Sequence, residues 1–328
     1  MCGIAGILSN NINSPKRRTV LENISESLKM RGPDARGEFI TEDIALIHRR
    51  LSVIDPENGA QPMTFGKYTI CYNGEIYNTD EIRRKLKSIG YTFDTHCDTE
   101  VILKAFHKWK EKSFEMLNGI FAYAIWDNED KELYLCRDRI GVKPLYYSQL
   151  KGMFAFASRI KSLLLIPEIK PQVDENGLNE IFMLGPAKTI GSAVFKDIKE
   201  LPPACWLKFK DGRTAIHEYW SLEAKEHTEN LEETICHTHF LVSDAIKRQL
   251  VCDVPLCTFL SGGLDSSIIS KIASDEAKAN NRTLDTFSVD YIDNDKYFKS
   301  SLFQPNKDSD FIDLSLIHIS EPTRPLYI

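Results

Sequence analysis

The first two hundred residues keep breaking into short runs of β-forming side chains closed by turn residues, and this rhythm limits the possible folds more than any other feature. Ile4–Leu8, Ile44–His48, Tyr68–Tyr72, Phe121–Asp127, Glu132–Arg137, Leu145–Ser148 and Phe154–Ala157 all have strand length. Two stretches carry helical spacing instead. Val20–Met30 has apolar residues at 20, 21, 24, 28 and 30, and Glu100–Trp109 has them at 101, 102, 103, 105, 106 and 109, both near a 3.6-residue period. Strands clustered around a few helices predict a layered α+β domain rather than a doubly wound parallel sheet.

After Asp211-Gly212-Arg213 the pattern changes. The polar stretch Glu223–Glu233 leads into an amphipathic helix, Leu231–Leu250, apolar at 235, 240, 241, 242, 245, 246 and 250. Pro255 closes it. A β-run Leu256–Leu260, a glycine turn, a helix Leu264–Ala279 and a strand Asp285–Tyr291 follow. This β–loop–α–β succession predicts a second, α/β domain from about Leu231. The expected division is a first domain over 1–220, a linker over 221–230 and a second domain over 231–313; 328 residues at 42% hydrophobic suffice for two cores.

Charge and composition narrow the function. A formal net charge of −6 and a pI near 5.8 argue against a nucleic-acid surface, which needs clustered Lys and Arg in excess. Apolar stretches such as Val254–Leu260 are far shorter than the roughly 18–20 residues of a membrane span, and the N-terminus lacks a signal-peptide pattern. Eight cysteines without a C-x-x-C pair favour reduced thiols in a cytoplasm. His237 and His239 lie two apart on a predicted helix and point in different directions, so they do not suggest a metal site.

Cys2 is the most informative single residue in the sequence. It stands directly behind Met1, so removal of Met1 would place a thiol and a free α-amine on one residue. The reference pKa of an α-amine, roughly 7.7–8, lets it take and return a proton near neutral pH without a histidine. Alone, Cys2 reads more readily as a small buried apolar residue at the head of a strand. Four other segments read individually as ordinary structure: the Arg31-Gly32-Pro33-Asp34 turn, Arg50 as a surface charge, Asn73-Gly74 as a type I′ turn, and Asp98 as a helix N-cap.

Together, and with Arg137-Asp138-Arg139-Ile140-Gly141-Val142-Lys143-Pro144-Leu145-Tyr146, these residues resemble the class II glutamine amidotransferase domain of glutamine-hydrolysing asparagine synthetases, from Cys2 to about Trp220. The resemblance implies an N-terminal-nucleophile αββα sandwich. It implies that the Cys2 thiolate attacks the side-chain amide of glutamine, and that the Asn73 amide and Gly74 N–H hold the oxyanion. Arg50, Leu51, Val53, Ile54, Asn73, Glu75 and Asp98 would bind glutamine, Arg50 taking its α-carboxylate and Asp98 with Glu75 its α-ammonium. Met30 departs from the pattern, because many relatives have histidine there.

In the second domain, Ser261-Gly262-Gly263-Leu264-Asp265-Ser266-Ser267 lies between a β-run and a helix, where backbone N–H groups and a helix's positive end can hold an anion. No lysine follows, so it is not a P-loop. It resembles the pyrophosphate loop of the ATP pyrophosphatases (adenine nucleotide α-hydrolase-like), with Leu260 and Val289 beside the adenine nucleotide and Asp265 near metal and pyrophosphate. No metal ligand is assigned. The two domains in this order resemble the asparagine synthetase B family. That implies glutamine, aspartate and ATP as substrates, Mg²⁺ on the phosphates, and neither nucleic acid nor membrane as partner; a homodimer stays open. A relative that amidates another carboxylate and a non-catalytic glutamine-binding module are the alternatives, and the Cys2 thiol argues against the second. Family members extend beyond residue 328, and Leu314–Ile328 is expected to be a non-family tail, the read-through of a fragmentary gene model, leaving a chain competent for glutamine hydrolysis alone.

Overall fold

The computed structural model describes residues 1–302 apart from 11 and 186, together with 306–309, 311–312, 315 and 326–327. The chain divides into two compact units, Met1–Ala224 and Lys225–Ile328.

The first unit carries twelve described strands: β1 (Gly3–Ser9), β2 (Ala35–Ile40), β3 (Ile44–Arg50), β4 (Met63–Phe65), β5 (Tyr68–Ile76), β6 (Gly119–Asp127), β7 (Glu132–Arg137), β8 (Tyr146–Leu150), β9 (Met153–Ala157), β10 (Lys199–Glu200), β11 (Cys205–Lys210) and β12 (Arg213–Glu218). They form two six-stranded sheets, ordered β10-β8-β9-β1-β3-β2 and β12-β11-β7-β6-β5-β4. Its helices are α1 (Pro15–Ser27), α2 (Thr79–Ser88), α3 (Asp98–Trp109), α4 (Lys112–Met116), α5 (Ile160–Leu163) and α6 (Glu175–Asn179).

Strand alternation decides which side chain enters which core. On β1, Ile4 and Leu8 point between the sheets while Ala5 and Ile7 point to the α1 side. On β5, Cys71 points between the sheets while Tyr68, Ile70 and Tyr72 meet α3 residues such as Val101 and Phe106. Both sheets are therefore apolar on both faces, and one core lies between them with another on each outer face. The layers are helix, sheet, sheet, helix, the αββα sandwich that the sequence resemblance implied. The helix expected over 20–30 is shifted towards the N-terminus. Ser14 caps it by accepting from Arg17 N at 3.3 Å, and Pro15 opens its first turn.

The second unit contains α7 (Leu231–Gln249), β13 (Cys257–Phe259), α8 (Leu264–Ala279), β14 (Asp285–Ser288), α9 (Asn294–Tyr297) and β15 (Leu326–Tyr327). β13 and β14 pair in parallel with α8 between them in sequence, and β15 pairs in parallel with β14. α7 starts with a reciprocal capping box between Asn230 and Glu233, but buries no residue. Of the expected tail 314–328, only Ser315, Leu326 and Tyr327 fall among the described residues. Among those described, no helix is long and apolar enough to cross a membrane.

Candidate active site

The inter-sheet layer is apolar along most of its length and turns polar at one end. The faces that carry Ile4 on β1, Leu46 on β3 and Cys71 on β5 continue, by the same alternation, to Cys2, to His48 and Arg50, and to Asn73 and Glu75. Cys2, Arg50, Leu51, Val53, Ile54, Gly74, Glu75 and Asp98 line a single cavity of about 30 Å³ there. That is roughly the volume of one water. Asn73 does not line it, but sits between Tyr72 and Gly74, which do.

The main chain holds the nucleophile. Leu51 N donates to Cys2 Sγ at 3.4 Å, and Cys2 Sγ lies 3.6 Å from Leu51 O. Burial pushes the thiol up from its ordinary value, and the hydrogen bond with Leu51 pulls the other way. Arg31 Nε donates to Cys2 O at 3.0 Å, while the preceding Met30 is exposed. The amino terminus, here on Met1, is held below its ordinary value chiefly by burial.

Asn73-Gly74 is not a turn. Both residues lie inside β5, where Asn73 pairs with Ala122 and Gly74 with Phe121 of β6. A Cβ at Gly74 would lie 2.3 Å from Ile120 O and 2.6 Å from Phe121 Cα, so the strand pairing requires glycine there. The Asn73 side chain is buried, and among the described residues neither its Nδ2 nor its Oδ1 has a hydrogen-bond partner. A buried, unpaired amide costs roughly 1–3 kcal/mol, an arrangement understandable where a ligand supplies the partner.

Arg50 is not a surface charge. Its buried guanidinium donates through Nη1 to Pro56 O at 2.8 Å, and through Nη2 to Ile54 O at 3.0 Å and Asp55 O at 2.6 Å. The arginine thus folds the loop after β3 over the cavity, instead of presenting a wholly open fork. Asp98 is the first residue of α3, and its N-cap is Cys97. Asp98 Oδ2 accepts from the Tyr72 hydroxyl at 2.6 Å and from Ile76 N at 3.2 Å. Burial holds its carboxyl above the ordinary range. Burial, with Asp98 beside it, pushes Glu75 up to about 8.

In the second unit the serine-glycine loop reaches the N-terminus of α8, whose N-cap Gly263 provides no side-chain cap. Gly262 has φ +76°, and a Cβ on it would lie 2.6 Å from Phe311 Cβ. Ser261 Oγ and Ser266 Oγ lie 3.1 Å apart, and Ser267 Oγ donates to Gly263 O at 2.7 Å. Uncapped first-turn amides suit an anion such as a phosphate. Asp265 and Leu264 lie in that first turn, Leu264 exposed; Leu260 is buried beside Ile312, and Val289 is exposed one residue beyond β14. Among the described residues no group of three or more His, Cys, Asp or Glu is placed to hold a metal.

The sequence pattern of the family "Glutamine amidotransferase domain" matches residues 1–220. The chain belongs to that glutamine amidotransferase family. The family "Asparagine synthase" matches residues 238–318, beyond the amidotransferase domain. Asparagine synthetase (glutamine-hydrolyzing) 3 of Bacillus subtilis (strain 168) is 43% identical over 318 residues, covering 95% of this chain and 52% of that protein. Asparagine synthetase (glutamine-hydrolyzing) 2 of Arabidopsis thaliana is 33% identical over 278 residues, covering 83% and 42%. The chain thus spans about half the length of these curated relatives. A solved structure of the allosteric regulatory enzyme of purine biosynthesis shares the fold, with TM-score 0.51, 16% identity and coverage of 99% and 74%.

The amidotransferase cavity also includes Gln61, which sequence reasoning passed over. Its Oε1 accepts from Tyr72 N at 2.7 Å and its Nε2 donates to Thr99 Oγ1 at 3.1 Å, tying the loop before β4 to β5 and α3. No local pattern marks it, because its role depends on three segments meeting.

Proposed function

We propose that the first unit hydrolyses free glutamine to glutamate and ammonia, with Cys2 as nucleophile after removal of Met1. The observation that carries this reading is the buried, unpaired Asn73 amide on the strand whose next two residues share a cavity with Cys2. The sulfur bonds to the side-chain amide carbon, and the carbonyl oxygen takes up negative charge beside the Asn73 Nδ2 donor and the Gly74 N–H. The C–N bond then breaks as the α-amine of Cys2 passes the thiol proton to the leaving nitrogen, releasing ammonia. Water cleaves the thioester, giving glutamate and restoring the thiol. Because burial raises the thiol's pKa, a base is needed at neutral pH; the same burial lowers the pKa of an amine at this place, so that more of it is neutral and free to accept a proton.

Arg50 holds the substrate's α-carboxylate with the donor capacity that the loop carbonyls leave, and Glu75 with Asp98 holds its α-ammonium.

The whole protein we read as a glutamine-dependent asparagine synthetase of a reducing cytoplasm, consistent with eight unpaired cysteines. ATP would activate the aspartate side-chain carboxylate as an acyl adenylate with release of pyrophosphate, and ammonia would displace AMP to give asparagine. Ser261–Ser267 would hold the phosphates, and Mg²⁺, when bound, would neutralise their charge. Incubating the purified chain with glutamine and measuring glutamate tests the first step. The expected result is slow hydrolysis that Cys2→Ala abolishes, in protein whose N-terminal mass shows Met1 removed. Unchanged hydrolysis in Cys2→Ala would refute the nucleophile.

A further inference from the structure

The nucleophile and its oxyanion donors stand on different sheets, so the distance between them has to be fixed across the inter-sheet layer. Cys2 precedes β1, whose Gly3 and Ile4 pair with Arg49 and His48 of β3, while Asn73 and Gly74 belong to β5 in the other sheet. Facing sheets stand about 10 Å apart, and at this end two side chains bridge the gap to main chain. His48 Nε2 lies 3.0 Å from Tyr72 O, and Cys71 Sγ donates to Ile47 O at 3.2 Å. The two bonds are reciprocal: residue 48 of β3 reaches residue 72 of β5, and residue 71 of β5 reaches residue 47 of β3.

Both bridging side chains are buried. A carbonyl oxygen only accepts, so the His48 proton sits on Nε2. Burial holds the imidazole down to about 4 and pushes the Cys71 thiol well up, so at neutral pH the ring is neutral and the thiol keeps its proton. β3 also grips the sulfur itself, since Leu51, one residue beyond that strand, donates its N–H to Cys2 Sγ at 3.4 Å. On β5, Tyr72 is the residue just before Asn73, and its C=O belongs to the peptide group whose N–H is that of Asn73. Its own N–H donates to Gln61 Oε1 at 2.7 Å, and its hydroxyl to Asp98 Oδ2 at 2.6 Å. β4 pairs with β5 only as far as Ile70, so side chains complete the hold on Tyr72. The β3 segment thus holds the sulfur with one residue and the oxyanion strand with another.

We propose, resting on the glutaminase reading, that His48 is a positioning residue: through Tyr72 O it sets the Asn73 and Gly74 donors at their distance from Cys2 Sγ, with the Cys71 to Ile47 bond as a second stitch. Oxyanion donors meet full negative charge only in the transition state, so misplacing them costs turnover and not substrate binding. The Tyr72 hydroxyl serves the other end of the substrate, because it bonds Asp98, the holder of the α-ammonium. Loss of the His48 donor therefore lowers kcat, whereas loss of the Tyr72 hydroxyl raises KM. The two effects part at a single residue, Tyr72.

The test compares wild type with His48→Phe, which fills the site without a donor, His48→Gln, which keeps an N–H, and Tyr72→Phe. In glutamate-release kinetics His48→Phe is expected to lower kcat about tenfold, short of the roughly 10²–10³ for losing an oxyanion donor outright, with KM within about twofold. His48→Gln should recover most of kcat, and Tyr72→Phe should raise KM about tenfold with kcat within about threefold. Equal losses in His48→Phe and His48→Gln, a loss carried by KM, or wild-type kcat in His48→Phe would overturn the proposal. Two readouts need no activity. ¹⁵N NMR should show the His48 ring neutral and protonated at Nε2 across neutral pH, and hydrogen exchange at the Asn73 and Gly74 amides should quicken about tenfold in His48→Phe while Ala155 on β9 keeps its rate. A ring protonated at Nδ1, or a uniform quickening, sinks the positioning role even where glutamine is hydrolysed. No hydrolysis by wild type, with both readouts as expected, would refute the glutaminase reading and leave the coupling of His48 to β5 standing. If His48→Phe does not fold, the second stitch decides: Cys71→Ala should lower kcat about threefold and Cys71→Ser restore it, and unchanged kcat in Cys71→Ala overturns the proposal.

Discussion

Phe156 and Phe240 are the same side chain in opposite settings: the first is fully buried between the two sheets of the first unit, and the second is 63% exposed on α7 of the second. The contrast extends to their surroundings. The first unit encloses three apolar cores within its own four layers, whereas in the second Leu260 and Ile312 form the one described cluster of buried apolar residues. Cys2 is accordingly held by a framework complete in itself. The serine-glycine loop sits on a helix that is only partly covered. Rigidity around a site comes from how many layers enclose it, and here the two sites differ most in that respect.

The sharpest way to break the comparison is to remove both rings. Phe156→Ala is expected to cost the first unit about 3–5 kcal/mol, and Phe240→Ala to stay within about 0.5 kcal/mol. Urea unfolding of the full chain measures both; a comparable loss from Phe240→Ala would show that α7 has a core of its own. Next in size, Asn73→Ala should lower the rate of glutamate release by about 10²–10³, while Ser261→Ala leaves it within about twofold. A fall of similar size in Ser261→Ala would mean that the two sites are not separate in their chemistry.

A pH effect should follow, and only in the first unit. Glu75 has a folded pKa of about 8 against an ordinary 4.5, so the folded state prefers it protonated. Its contribution is fully present below pH 4.5 and is lost as pH rises through about 8. Its partial exposure limits that loss to about 3 kcal/mol. Glu75→Gln should flatten the slope of urea stability between pH 5 and pH 8.5, and an unchanged slope would remove Glu75 as its source. His48 works on the acid side. Buried and 3.0 Å from Tyr72 O through Nε2, it is held down to about 4, so its contribution is present above its ordinary 6.5 and is lost as pH falls through about 4. The smallest effect expected is in the second unit: Gly263→Ala, whose Cβ would find only Ser261 Oγ at 3.5 Å, should cost under about 1 kcal/mol. Gly262→Ala should cost more, since it forces a side chain into positive φ against Phe311.

Much of this was legible in the chain because the relevant physics is local. The period-two runs marked β1, β3, β5, β6, β7, β8 and β9, and the helix at 264–279 has the expected limits. Edge and mixed strands were not legible. Ala35–Ile40 and Arg213–Glu218 are largely exposed and carry too little apolar alternation to stand out from loops. The helix Thr79–Ser88 was also missed, since it buries only Ile82 and Leu86. Asn73-Gly74 misled for the opposite reason. Its local preference is a turn, but pairing with Ala122 and Phe121, distant in sequence, places it inside a strand. Most of the cavity residues were named individually, but Gln61 and the loop-holding role of Arg50 emerge only when distant segments close on each other.

Leu51 holds the nucleophile through its peptide group. A contact of that kind is invisible to the genetic code except through proline. Any codon change at position 51 that keeps the backbone path keeps the N–H that holds Cys2 Sγ, whereas proline deletes it. The most intimate neighbour of the reactive sulfur is thus shielded from nearly all single substitutions, and its chemistry is written into the course of the chain instead of the identity of a residue.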